Sequence, residues 1–180
     1  MWWKKVNTLF LVLIVLIATL PGIARGELLL SVQPDSIYVE VSSDFELYFC
    51  LGDEATGLMG YHLIFSYDPE YLEVVCVDEG SLPAGSGEET FFHCNKALND
   101  TTVEINGAVL GTEVQTPGCL FYATFKALKA GRTYVRIEYS DIRDGSNDKI
   151  THITADGVVI ITPEISVEES SWGGIKSKFK

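Results

Sequence analysis

Residues 60–75, reading Gly-Tyr-His-Leu-Ile-Phe-Ser-Tyr-Asp-Pro-Glu-Tyr-Leu-Glu-Val-Val, constrain the fold more than any other stretch. Tyr61, Leu63, Phe65 and Tyr67 recur at every second position. Side chains of a β-strand alternate between faces with that period, so the four share one face of a strand. Asp68-Pro69 breaks the ladder. Proline has no N–H to donate, and it pushes the residue before it away from helix. Leu72 then restarts an apolar run, so a second strand follows the break directly.

The same pattern recurs along the chain. Short alternating or apolar runs occupy Leu28–Val32, Ile37–Val41, Phe45–Leu51, Leu58–Tyr67, Leu72–Val77, Phe91–Cys94, Val103–Leu110, Cys119–Leu128, Thr133–Ser140, Ile150–Thr154 and Gly157–Thr162. Turn residues separate them: Pro34-Asp35, a Gly/Ser/Glu loop over 80–89, Asn99-Asp100, Thr116-Pro117-Gly118, Ala130-Gly131 and Asp144–Asp148. Many short strands with turn signals between them predict an all-β sandwich. No segment keeps a helical period. Gly107 interrupts an alternating run and is expected to mark a bulge or kink.

The ends differ from this middle. Lys4 and Lys5 precede an apolar run from Leu9 to Leu20, and Ala24-Arg25-Gly26 supplies small residues before Glu27. Residues 1–26 therefore read as a secretory signal peptide, cut before Glu27. A retained membrane anchor is the alternative. The apolar run is short of the roughly 20 residues a span needs, and Pro21-Gly22 follows it. Residues 27–162 form one domain. Residues 163–180 form a C-terminal tail, acidic at first and then basic, with Trp172, Ile175 and Phe179 at roughly helical spacing. The expected location is extracellular or at the cell surface, with no membrane association once the signal is cut.

All of Lys4, Lys5 and Arg25 lie in the leader, which has no acids. Residues 27–180 thus carry ten basic against 25 acidic side chains, a net −15. Such a surface repels nucleic acid and anionic membranes. Cys50, Cys76, Cys94 and Cys119 remain after export. An even count in an oxidising compartment predicts two disulfides. No Cys-x-x-Cys pair is present, and with three histidines the chain offers no metal-ligand spacing.

No catalytic pattern appears: no nucleophile elbow, zinc helix or phosphate loop. His62, His93 and His152 are far apart and read as surface or edge residues. Glu88-Glu89 and Glu168-Glu169 read as solvated charge. The acidic stretch Asp141–Asp148 has Arg143 where a calcium ligand would be wanted, so it reads as a turn. We expect a non-catalytic binding module with no cofactor and no metal.

Three pieces in order carry a family resemblance. They are the strand ending in Tyr67-Asp68-Pro69, the Gly-led strand Gly118-Cys-Leu-Phe-Tyr-Ala-Thr-Phe125, and the closing Asp156-Gly157-Val-Val-Ile-Ile161. Together they resemble cohesin modules, the bacterial domains that receive dockerins in cellulosomes. The resemblance implies a nine-stranded, two-sheet β-sandwich of jelly-roll topology. One sheet would hold strands eight, three, six and five, the other nine, one, two, seven and four. It also implies a role in extracellular polysaccharide breakdown or surface assembly in a bacterium or archaeon.

With Gly118–Phe125 taken as strand six, Phe65 and Phe125 point inward. His62, Ile64, Ser66, Leu120, Tyr122 and Thr124 would then form the partner-binding face. The family's Asn and Asp before Tyr-Asp-Pro fall at Gly60 and His62, which match neither. The expected partner is a dockerin-like module. The alternative is a polysaccharide stacked on a tyrosine row, Tyr38, Tyr48 and Tyr134. A structural surface subunit is the third reading. The same topology suggests Cys50–Cys94 with Cys76–Cys119, or a local Cys76–Cys94 bridge, and leaves the choice open.

Overall fold

A computed structural model describes residues 27–52, 57–99 and 101–164, without the side chains of 97–99. The leader and nearly all of the C-terminal tail lie outside the described residues. Eleven strands and one short helix occur among those described. They are β1 (Leu28–Gln33), β2 (Ser36–Glu40), β3 (Asp44–Leu51), β4 (Leu58–Ser66), β5 (Leu72–Glu79), α1 (Ser81–Ala84), β6 (Glu89–Asn99), β7 (Thr102–Leu110), β8 (Gly118–Ala127), β9 (Gly131–Asp144), β10 (His152–Ala155) and β11 (Gly157–Thr162).

The strands form two sheets. One has the order β10-β1-β3-β8-β5 and the other β2-β11-β9-β4-β7-β6. The count exceeds the nine expected because each terminal strand is split between the sheets. β1 lies parallel to β10 in the first sheet, whereas β2 lies parallel to β11 in the second. Pro34 sits at the first break and Asp156 at the second. Proline cannot donate to a ladder, so the chain leaves one sheet there and enters the other.

The inner faces meet in an aromatic core. Phe49 and Phe121 of the five-stranded sheet stack at 4.3 Å between ring centroids. Phe65 of the six-stranded sheet packs 4.9 Å from Phe49 and 6.2 Å, edge-on, from Phe125. All four rings are fully buried. Each contributes about 2–3 kcal/mol through removal of apolar area from water. Phe65 and Phe125 point inward, as their parity predicts.

Gly107 does not mark a bulge. β4 and β7 pair without interruption from Gly60↔Ala108 to Ser66↔Thr102. The residue is small because the Tyr61 ring lies against it: a Cβ on Gly107 would stand 2.2 Å from Tyr61 Cζ. Tyr61 is buried, and its hydroxyl crosses the core to donate to the Leu120 carbonyl at 3.1 Å. Burial, with the nearby Glu79 carboxylate, pushes the Tyr61 hydroxyl well above the ordinary tyrosine range.

The bulge occurs in β8 instead. Phe49 pairs with Phe121 and Cys50 with Cys119, so Leu120 is an extra residue. A bulge breaks alternation and frees backbone groups from the ladder. Leu120 is consequently fully buried beside Phe121, and its carbonyl takes both the Tyr61 hydroxyl and the Gly80 N–H.

The cysteines differ from expectation. Cys50 and Cys119 are directly opposed on β3 and β8 and form a disulfide. Cys76 and Cys94 are free thiols, each half-buried. A Cys76–Cys119 bridge is excluded by register, since Cys76 opposes Thr124. Cys50–Cys94 fails because Cys50 is bonded to Cys119, and the local Cys76–Cys94 bridge does not form, since both thiols are free. Burial pushes the Cys94 thiol up.

Candidate functional site

The outer face of the six-stranded sheet is a grid made by β9, β4, β7 and β6. Register places its residues in four rows. They read Arg143–Gly60–Ala108–Phe91, Asp141–His62–Asn106–His93, Tyr139–Ile64–Glu104–Asn95 and Arg136–Ser66–Thr102–Asn99. β4 and β7 alternate, so His62, Ile64, Ser66, Thr102, Glu104 and Asn106 face out while Tyr61, Leu63, Phe65, Val103 and Ile105 face in.

The middle of the grid is polar and internally paired. His62 Nε2 lies 2.9 Å from Glu104 Oε1, and its ring packs 5.0 Å from that of Tyr139. Arg143 donates to Asp141 through Nε at 3.1 Å and through Nη2 at 2.8 Å. This bond holds the Asp141 carboxyl below its ordinary value. Arg143 Nη1 also donates to the Asn147 carbonyl at 2.9 Å, tying the 144–148 turn to the sheet. In that turn Asp144 Oδ1 accepts the N–H groups of Ser146 and Asp148 at 2.9 and 2.8 Å. On β9 the register shift leaves Glu138 as an extra residue, and its carboxylate accepts the Ser66 hydroxyl at 2.5 Å.

Around this centre stand large apolar side chains. Phe91 is 51% exposed, Leu110 49% and Tyr139 45%. Ile64 lies between Tyr139 and Glu104. Scattered exposed apolar groups are ordinary, but three at this exposure on one sheet face form anchors around a middle whose polar side chains are hydrogen-bonded to one another. The Asp141–Arg143 pair does not leave an unpaired ion when a partner covers it, and exposed aromatic anchors supply most interface energy. The geometry is that of a flat docking surface.

The residues expected at the partner face divide between the two sheets. His62, Ile64 and Ser66 lie on this face as expected. Leu120, Tyr122 and Thr124 do not, because β8 belongs to the five-stranded sheet. The family's strand six corresponds to β7, the antiparallel neighbour of β4. Leu120 is buried in the bulge, and Tyr122 and Thr124 emerge on the opposite side of the sandwich.

The tyrosine row also divides. Tyr38 and Tyr134 face out from β2 and β9 of the six-stranded sheet, where Arg132 and Arg136 flank the Tyr134 ring at 5.4 and 5.3 Å. Tyr48 faces out from β3 on the other sheet, 5.6 Å from Tyr122.

Phe91, His93, Glu104, Asn106, Leu110, Tyr139 and Asp141 were not anticipated. A signal for three of them was present. Phe91-Phe92 are adjacent in a strand, so one ring must face out. Thr102, Glu104 and Asn106 alternate with Val103, Ile105 and Gly107, which marks a wet face.

Comparison with known proteins agrees with this architecture. A family model described as cohesin domain matches residues 31–161. A search of curated protein sequences finds no match. Among solved structures, a non-cellulosomal cohesin from the hyperthermophilic archaeon Archaeoglobus fulgidus aligns with TM-score 0.63 at 18% identity, over 76% of this chain and 92% of that one. The sixth cohesin of scaffoldin B from Acetivibrio cellulolyticus, solved with a Cel5 dockerin, aligns with TM-score 0.65 at 17% identity, over 76% and 100%. The seventh ScaB type I cohesin from Pseudobacteroides cellulosolvens gives TM-score 0.66 at 14% identity, over 81% and 98%. At such identities the structures speak for the fold, while the family model spans most of the sequence: the chain belongs to the cohesin domain family.

Proposed function

We propose that this domain is an exported, non-catalytic receptor whose six-stranded sheet docks a dockerin-type module. The observation that carries the reading is the outer grid. Phe91, Leu110 and Tyr139 stand exposed around the internally paired His62–Glu104 and Asp141–Arg143. Family membership supports it, as does the occurrence of dockerin complexes among the structural neighbours. The Cys50–Cys119 disulfide and the leader-like residues 1–26 support action outside the cytoplasm. Gly60 and His62 depart from the Asn and Asp typical of the family. The partner therefore meets a histidine–glutamate pair and a ring of apolar anchors.

The test is calorimetric titration with dockerin modules encoded in the same genome. Phe91→Ala and Tyr139→Ala should each weaken a binding module by about 2 kcal/mol, roughly 30-fold. Ile64→Asp should abolish binding with the fold intact. Failure of every such module to bind, or binding indifferent to all three substitutions, would sink the proposal.

A further inference from the structure

We propose that the opposite, five-stranded sheet carries a second binding site, for a neutral polysaccharide chain, centred on Tyr48 and Tyr122. The two tyrosines are register partners on β3 and β8 and face outward. Their ring centroids are 5.6 Å apart and the planes are tilted by 33°. Gln33 pairs with Tyr48 on one side and Asp78 with Tyr122 on the other. One row, Gln33–Tyr48–Tyr122–Asp78, thus crosses four adjacent strands. Strand spacing makes it about 14 Å long, room for a few linked sugar rings.

The chemistry of the row fits a sugar. The C–H face of a pyranose carries slight positive charge and meets the negative face of an aromatic ring. Hydroxyls at the rim of the sugar need donors and acceptors within reach. The Gln33 amide and Asp78 carboxylate close the two ends. Glu46 and Thr124 are paired in the next row on the same face. The Tyr48 hydroxyl donates to Glu46, which fixes the ring on the surface.

Charge selects the class of polymer. Asp44, Glu46, Glu73 and Asp78 share this outer face with Lys126 as the one opposing charge at these rows. Asp78 and Glu46 already hold the Tyr122 hydroxyl above its ordinary value. Uronate or sulfated chains are repelled by such a field, whereas a neutral chain offers hydroxyl donors to the carboxylates. A tyrosine pair that merely steadies the sheet would account for the contact. It does not account for polar groups at both ends of the same row. Because the two sheets face away from each other, this site leaves the docking grid free.

The test is affinity electrophoresis of the folded domain through gels containing hydroxyethylcellulose, arabinoxylan or galactomannan, with polygalacturonate as the anionic control. At least one neutral polymer should retard the protein, and polygalacturonate should not. Tyr48→Ala and Tyr122→Ala should each cut the association constant at least tenfold, and Ile64→Asp on the far sheet should leave it unchanged. An independent readout needs no variant. Titrating wild-type protein with an oligosaccharide of the retained polymer should shift the ring-carbon NMR signals of Tyr48 and Tyr122, and leave those of Tyr38 and Tyr134 in place. No retardation by any neutral polymer overturns the proposal. So does retardation that survives the double alanine variant, or shifts confined to Tyr38 and Tyr134.

Discussion

Gly107→Ala tests the packing that joins the docking sheet to the core. The new Cβ would lie 2.2 Å from Tyr61 Cζ, 2.4 Å from its hydroxyl oxygen and 2.5 Å from Cε1. Real Cβ atoms do not approach that closely, so the ring must move. The ring is buried, and its hydroxyl is fixed to the Leu120 carbonyl at 3.1 Å. Overpacking of a tight core costs about 1–3 kcal/mol, and loss of the hydrogen bond adds about 1 kcal/mol. Against this, removing a glycine stiffens the unfolded chain and returns about 0.4–1 kcal/mol. The net loss is about 2–3 kcal/mol, or roughly 10 °C in melting temperature for a domain of this size. Urea unfolding followed by circular dichroism measures it. Tyr61→Leu should itself destabilise, yet Gly107→Ala added to it should cost less than 1 kcal/mol, since the obstructing ring is gone. If Gly107→Ala alone lies within 0.5 kcal/mol of wild type, or the two substitutions add without coupling, the steric reasoning is wrong.

Other expectations follow from single features. Thiol titration of the denatured, unreduced protein should find two free sulfhydryls, Cys76 and Cys94; finding none would mean that a second bridge forms. Reducing Cys50–Cys119, whose ends are separated by 69 positions in sequence, should cost about 4 kcal/mol by loop-closure entropy, read as a fall in the denaturation midpoint. In the native state Cys94 should alkylate slowly at neutral pH, because burial raises its thiol and keeps the thiolate scarce. The Asp141 carboxyl should titrate below its ordinary value of 3.8, seen by carbon-detected NMR. Its folded value is depressed, so the stability from its pairing with Arg143 is present above about pH 4 and is lost as pH falls through the folded value. Arg143→Ala should move the midpoint upward, and an unchanged midpoint would remove that pairing as the cause.

Much of the secondary structure was legible because it is local. The eleven alternating runs named from sequence correspond one to one with β1–β11, and Phe65 and Phe125 face inward as their parity requires. The ends of β6 and β9 were underestimated. β6 runs on past Cys94 through polar Asn95 and Lys96, and β9 starts at Gly131 and ends at Asp144. β6 lies at the sheet edge, where polar residues are tolerated on both sides, and β9, between β11 and β4, extends into Arg132 and into Asp141, Arg143 and Asp144, so hydropathy gives no stopping signal in either.

Strand pairing was not legible, and the candidate site depended on it. Val103–Leu110 and Cys119–Leu128 both alternate, and either would pair with Leu58–Tyr67 on pattern alone. Alternation tells which side chains share a face, but not which sheet that face belongs to. Assigning β8 where β7 belongs joined His62 and Ile64 to Tyr122 across the full thickness of the sandwich. The bulge compounded the error: parity put Leu120 outside with Tyr122, yet one extra residue in β8 turns it into the core. The same correction is what brings Tyr122 beside Tyr48. Two half-sites read on the wrong sheets thereby resolve into two separate surfaces, an apolar-rimmed grid on β9-β4-β7-β6 and an acidic tyrosine row across β1-β3-β8-β5. Their opposed orientation follows from topology, so a ligand on either surface leaves the other accessible.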